Sequence, residues 1–116
     1  MLAKAQRLNL SQKENQKVFK KQCQYSQNFI FYFEESTQFQ VAAVVPKKKV
    51  SLASDRNQIR RLIYQAIQEL VQEKLEFKIK IIIVLKNKIQ IRQLRQEEKK
   101  LLKQEIKNQI KNIVKN

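Results

Sequence analysis

The residues of this chain best suited to chemistry are the cations and amides gathered between Lys47 and Arg61. Lys47-Lys48-Lys49 follows Pro46, and a short polar loop then leads into Asp55-Arg56-Asn57-Gln58-Ile59-Arg60-Arg61. Such groups break no covalent bond by themselves. Arginine offers phosphate oxygens a planar, bidentate fork and lysine a compact point charge, so the chemistry they suit is recognition of a polyanion. Other chemistry is hard to build. The chain has no histidine, which removes the commonest general base and every catalytic triad that depends on one. One cysteine, Cys23, leaves the usual zinc sites without ligands and gives no intrachain disulfide partner. Glu34 and Glu35 are adjacent in a strand and point to opposite faces, so they form no acid–base pair. No cluster of carboxylates on one face is expected, and a stand-alone metal-dependent nuclease is disfavoured. No catalytic residue and no metal ligand is assigned.

The basic cluster needs a rigid element to hold it. From Ile59, apolar residues recur at Leu62, Ile63, Ala66, Ile67, Leu70 and Val71, the spacing of a helix face packed on a core. At 100° per residue, Asn57, Arg60, Arg61, Tyr64 and Gln68 point roughly the opposite way. The helix is predicted to open at Asp55 and to follow an apolar strand ending near Val45. Before it, Ser11-Gln12-Lys13-Glu14 has the form of a capping box, predicting a helix over 12–22 with a thin apolar face, chiefly Val18 and Phe19. Residues 1–10 read as extended, anchored by Leu2, Leu8 and Leu10. Residues 28–34 alternate as a strand with Phe29, Phe31 and Phe33 on one face and Ile30 and Tyr32 on the other. Both faces are apolar, so one is expected to be buried and the other to offer an aromatic surface. Residues 39–45 are expected to return as its antiparallel partner. Residues 77–85, with Ile81-Ile82-Ile83, form the most buried strand, ended by Lys86-Asn87-Lys88. A last helix is predicted over 92–114, with Leu102, Ile106, Ile110 and Ile113 as its stripe.

Composition is consistent with one small basic domain spanning residues 1–116. The formal charge is +15 with a pI near 10.2, which opposes compaction unless a polyanionic partner balances it. There is no glycine, so turns must be made by Asn, Ser, Asp or Lys. The N-terminus is too polar for a signal peptide, and no run approaches the roughly 20 apolar residues that span a bilayer. A cytoplasmic protein without membrane partner is the expectation.

Lys48-Lys49-Val50, then Ala53, then Arg56-Asn57-Gln58-Ile59-Arg60-Arg61-Leu62-Ile63 resembles the signature of the protein subunit of bacterial ribonuclease P. There a Ser-Lys-Lys-Val-Gly run leads into Arg-Asn-Arg-x-Lys-Arg at a helix start. The resemblance extends to Arg7-Leu8, to Val18-Phe19-Lys20 and to the Ile81-Ile82-Ile83 strand ending at Lys86, in the family's order and spacing. Gln58 and Ser51 depart from the motif. Asn15 stands where the family has a phenylalanine of the cleft for the substrate's leader.

The resemblance implies an α+β fold, a small mostly antiparallel sheet with helices packed on it in the order α-β-β-β-α-β-α, including a β-α-β crossover. It implies a subunit of the ribonucleoprotein endonuclease that removes the 5′ leader of precursor tRNA. The partners would be the ribonuclease P RNA and precursor tRNA, with the RNA performing hydrolysis and holding Mg²⁺. Lys48, Lys49, Arg56, Asn57, Arg60 and Arg61 would face the catalytic RNA. Phe19, Phe31, Phe33 and Lys86 would line the leader cleft, although core packing competes for each ring of the 29–33 strand. Two other readings stand beside this one: a non-enzymatic RNA-binding protein of ribosomal or RNA-chaperone type, and, ranked last, association of the final helix with an anionic membrane surface.

Overall fold

The computed structural model describes residues 6–73 and 78–115. Its elements are a short helix α1 (Lys13–Gln16) continued by a 3-10 turn (Lys17–Lys20), strands β1 (Gln22–Tyr25), β2 (Phe29–Glu35) and β3 (Gln40–Val44), helix α2 (Ala53–Gln72), strand β4 (Ile79–Leu85), a 3-10 turn (Ile91–Gln93) and helix α3 (Gln96–Lys115). The α-β-β-β-α-β-α order expected from the sequence is present.

β4 explains the sheet. Ile81, Ile82 and Ile83 are all fully buried, so this strand is apolar on both faces and must lie between neighbours and between layers. The strand order is β1-β2-β4-β3. β4 runs antiparallel to β2, with Phe31 opposite Ile83, and parallel to β3, with Val41 opposite Ile81. The expectation that residues 39–45 pair with residues 28–34 is therefore corrected: β4 occupies the slot between them. α2 supplies the crossover that a parallel β3–β4 pair requires.

The two faces of the sheet are covered unequally. One carries Phe29, Phe31, Val41, Ala43, Ile81 and Ile83 against Ile63, Ile67 and Leu70 of α2 and Ile106 and Ile110 of α3. The other carries a smaller cluster, Leu8, Val18, Ala42 and Ile82, edged by Leu10, Tyr32, Val44 and Val84. Among the described residues, only the N-terminal segment and the turn after α1 cover it, and much of it is left open.

Local boundaries shifted where side chains found other partners. Ser11 does not cap: its backbone N–H donates to Asn9 Oδ1 at 3.0 Å and its hydroxyl to the same oxygen at 2.6 Å. Gln12 is the N-cap residue, without a side-chain cap. The first helix is accordingly short, and Gln22–Tyr25 joins the sheet instead. α2 starts two residues before Asp55, and α3 starts at Gln96 because residues 91–93 form a turn that buries Ile91. Leu2 and Phe77 lie outside the described residues.

Turns are made without glycine by borrowing groups from elsewhere. In the β1–β2 turn, Ser26 N–H donates to the Phe29 carbonyl at 2.9 Å. Glu105 of α3 accepts from Asn28 N–H at 2.7 Å and Asn28 Nδ2 at 2.8 Å, and also from the Ser26 hydroxyl. Asn87 Nδ2 donates to the Gln27 carbonyl at 2.7 Å.

α2 and α3 are clamped by Glu69, which accepts from Lys107 Nζ at 2.7 Å and from Lys103 Nζ at 3.0 Å. These hydrogen bonds, Lys107 first, hold the Glu69 carboxyl below its ordinary value. A carboxyl depressed in the folded state stabilises it above the unfolded-state pKa, and that contribution is lost as pH falls through the folded-state value. The Glu69 side chain is 41% exposed, so each pair is worth about 0.2–1 kcal/mol. Glu69→Gln is expected to lower the urea midpoint slightly at pH 7, with the difference from wild type vanishing in acid below the folded-state pKa. A difference that persists unchanged in acid would show that the clamp is not ionic.

Candidate RNA-binding surfaces

α2 positions the basic surface. Its apolar stripe faces the sheet, so the 3.6-residue period turns Asn57 and Arg61 outward and leaves Arg60 half-exposed. With Arg7, Tyr64, Gln65 and Gln68 they line one open hollow along the helix flank. Tyr64 is its floor: the phenol oxygen accepts from Ala43 N–H at 3.2 Å, fixing the ring against the edge strand. The Arg7 guanidinium stands 5.6 Å from the centre of that ring, a cation–π contact. Arg7 reaches it because the N-terminal segment runs beside β3, with Arg7 bridged to Val41 and Leu8 N–H donating to the Val41 carbonyl at 2.7 Å. Arg60 donates to Asn57 Oδ1, which orients both side chains on the same flank.

The other cations of the motif are divided between tasks. Arg56 Nη1 donates to the carbonyls of Val50 and Ser51 at 3.0 and 2.7 Å, so it braces the loop entering α2 and is half-buried. Lys48 is exposed. Lys49 borders a second hollow at the start of α2 with Lys88, Arg92 and Asp55, where Arg92 Nε donates to Asp55 Oδ1 at 2.9 Å. Arg7, Lys88 and Arg92 were not among the site residues read from the sequence. Lys88 and Arg92 are distant in sequence from the motif, and only the β4–α3 connection brings them to it.

The aromatic surface lies on the thinly covered face of the sheet. Phe19, 39% exposed, meets Tyr32 edge to face with ring centres 5.0 Å apart. Tyr32 is opposite Cys23 in register, and Tyr25 is opposite Ile30, so Cys23 and Tyr25 of β1 share this face. Lys86 Nζ lies 5.7 Å from the centre of the Tyr25 ring and donates to the Ser26 carbonyl at 3.1 Å. The Tyr25 phenol is held above its ordinary pKa, above all by the neighbouring Cys23 thiol. It stays neutral at physiological pH.

Two expected cleft residues are elsewhere. Phe31 is 0% exposed and packs edge to face on Phe29, ring centres 6.3 Å apart, under α2 and α3. Phe33 lies on the same helix-covered side, half-buried beside Gln22, Gln24, Ile79 and Ile113. Strand alternation is the reason: once Phe29 enters the main core, Phe31 and Phe33 follow it, and Tyr32 is the ring left to the open face. Phe19 and Lys86 do lie on that open side. Asn15 is 8% exposed and its amide donates to the Asn9 carbonyl at 2.7 Å, so it pins the N-terminal segment and offers nothing to a ligand.

Comparison with known proteins gives one consistent family. Residues 2–114 match the model of the Ribonuclease P family. The structure resembles that of the Staphylococcus aureus RNase P protein, 23% identical, with a TM-score of 0.64 over 97% of this chain and 94% of that one. It also resembles the RNase P protein from Thermotoga maritima, 16% identical, with a TM-score of 0.72 over 94% of each chain. No curated protein sequence matches the chain significantly. At these identities the structural likeness speaks for the fold.

The assignment of rings to faces is testable by stability. Phe31→Ala should cost about 3–5 kcal/mol, as for a fully enclosed phenylalanine. Tyr32→Ala, at a half-exposed position, should cost distinctly less. Equal losses in urea denaturation would overturn the assignment.

Proposed function

The chain belongs to the ribonuclease P family, and on that premise we propose that it grips the catalytic RNA with the basic flank of α2 and the 5′ leader of precursor tRNA with the aromatic face of the sheet. It is a ribonuclease P protein subunit, and its partner is RNA. In this reading the RNA subunit carries out endonucleolytic removal of the leader, and the protein is an accessory that holds two RNAs in register.

The observation that carries the reading is the convergence of Arg7, Asn57, Arg60 and Arg61 around the Tyr64 ring on one rigid helix flank. Guanidinium groups held on a folded scaffold lose little further freedom on meeting phosphates, so more of each contact is retained as binding free energy. Lys48 and Lys49 add point charge at the approach to the helix, while Arg56 acts mainly by shaping that approach. On the other surface, Phe19 and Tyr32 offer π-faces to unstacked bases irrespective of sequence, with Lys86 nearby for a phosphate. Arg7-Leu8 links the two surfaces: Arg7 contacts Tyr64 on α2, and Leu8 packs into the cluster beneath the aromatic face.

Mg²⁺ in this proposal is bound by the RNA. The chain's own donors do not suit it: among the described residues no group of three or more His, Cys, Asp or Glu side chains could hold an ion. Asp55, Glu69 and Glu73 are each paired with arginine or lysine, and Glu105 is bonded to the β1–β2 turn. Drawing RNA phosphates together under a positive field would favour metal occupancy indirectly, by organising the RNA's ligands. Cytoplasmic action fits this substrate, and among the described residues no helix is long and apolar enough to cross a membrane.

Reconstitution tests the proposal. The protein alone should leave precursor tRNA intact, and at low Mg²⁺ it should raise leader cleavage by its cognate ribonuclease P RNA substantially. An RNA whose activity is unmoved by the protein at every Mg²⁺ concentration would overturn it. Replacing both Arg60 and Arg61 by Ala should reduce the slope of log K against log[salt] for RNA binding by roughly 1.4–1.8, the loss of two phosphate contacts. An unchanged slope would remove these side chains from the interface.

A further inference from the structure

An exposed ring on a protein surface is ordinary by itself. Tyr25 differs in its surroundings. It is the most exposed aromatic side chain among the described residues, at 62%, and it lies on the edge strand β1, outside both apolar clusters. Its same-face neighbour on β1, Cys23, is directly opposite Tyr32, and Tyr32 meets Phe19. The rings of Phe19, Tyr32 and Tyr25 thus follow one another diagonally across a single face of the sheet and end at the Lys86 ammonium. Diagonal neighbours on an antiparallel pair are about 7–8 Å apart, within reach of nearby bases of one strand. At the opposite edge, Asn15 is consumed by its bonds to Asn9 and Gln12 and provides no stacking surface.

From this arrangement we infer that Tyr25 is an additional stacking position for a base of the single-stranded 5′ leader, at the end of the cleft marked by Lys86. The inference rests on the reading of the aromatic face as the leader's site, and it sets where the contacted stretch of leader lies: displaced from the Asn15 edge toward β1. One face of the ring takes a base, while Lys86, held by the Ser26 carbonyl, meets the neighbouring phosphate. The role needs the π-face and not the hydroxyl, so phenylalanine should replace tyrosine and leucine should not.

The experiment measures binding of precursor tRNAs with leaders of graded length to holoenzyme reconstituted with wild-type protein, Tyr25→Ala, Tyr25→Leu or Tyr25→Phe. Wild type should bind more tightly as the leader lengthens. Tyr25→Ala and Tyr25→Leu should lose at least about fivefold in affinity, only for leaders long enough to reach β1. Tyr25→Phe should keep the wild-type profile, and all variants should melt with the wild type because the side chain is exposed. Retention of the full leader-length gain by both Tyr25→Ala and Tyr25→Leu would overturn the Tyr25 site and leave the leader cleft standing. An equal loss at every length, mature tRNA included, would also overturn the site. A wild-type holoenzyme indifferent to leader length would overturn the leader reading itself, and the Tyr25 site with it.

Discussion

β4 has no polar face to give to water. Ile79, Ile81, Ile82, Ile83 and Leu85 are all buried, and the strand can be accommodated only as an inner strand with material above and below it. Most features of the molecule follow from that demand. β3 and β2 take its two edges, α2 bridges the parallel pair, and α3 completes the helical layer. Among the described residues the other face receives only the N-terminal segment and the 3-10 turn carrying Val18 and Phe19. What results is an incompletely covered apolar face bearing the Phe19 and Tyr32 rings.

The same crossover that satisfies β4 also sets the basic surface. α2 must lay its apolar stripe on the sheet, and this turns Arg60, Arg61 and Asn57 outward at the edge where Arg7 passes. Several acidic side chains are spent on internal joints: Glu69 and Glu73 between α2 and α3, Asp55 with Arg92, and Glu105 under the β1–β2 turn. The excess cations are left facing solvent. A net charge of +15 on a domain of this size is tolerable only if its repulsion is relieved, and RNA phosphates would relieve it.

The absence of glycine shapes the details. Where a turn would ordinarily use a residue without Cβ, side-chain amides and hydroxyls hold the backbone: Asn9 before α1, Ser26 and Asn28 between β1 and β2, Asn87 after β4. Asn15 belongs to this economy. Its amide pins the N-terminal segment through the Asn9 carbonyl.

Local pattern alone determined the α2 helix and its outward-facing set, the both-sided burial of 79–85, the division of residues 29–33 into two faces, and the family signature at Lys48–Ile63. Each is periodic or contiguous, so it survives without knowledge of what packs where. Pairing and face choice were decided only by the tertiary structure. Residues 39–45 read from the sequence as the antiparallel partner of residues 28–34, and only the requirement to sheathe β4 on both edges puts β4 between them. Which face of β2 meets the helices could not be read either, because both are apolar; the packing of Phe29 against Phe31 under α2 and α3 decides it and leaves Tyr32 on the thinly covered face. Arg7, Lys88 and Arg92 come to the basic surface through contacts between distant segments, for which no spacing rule exists.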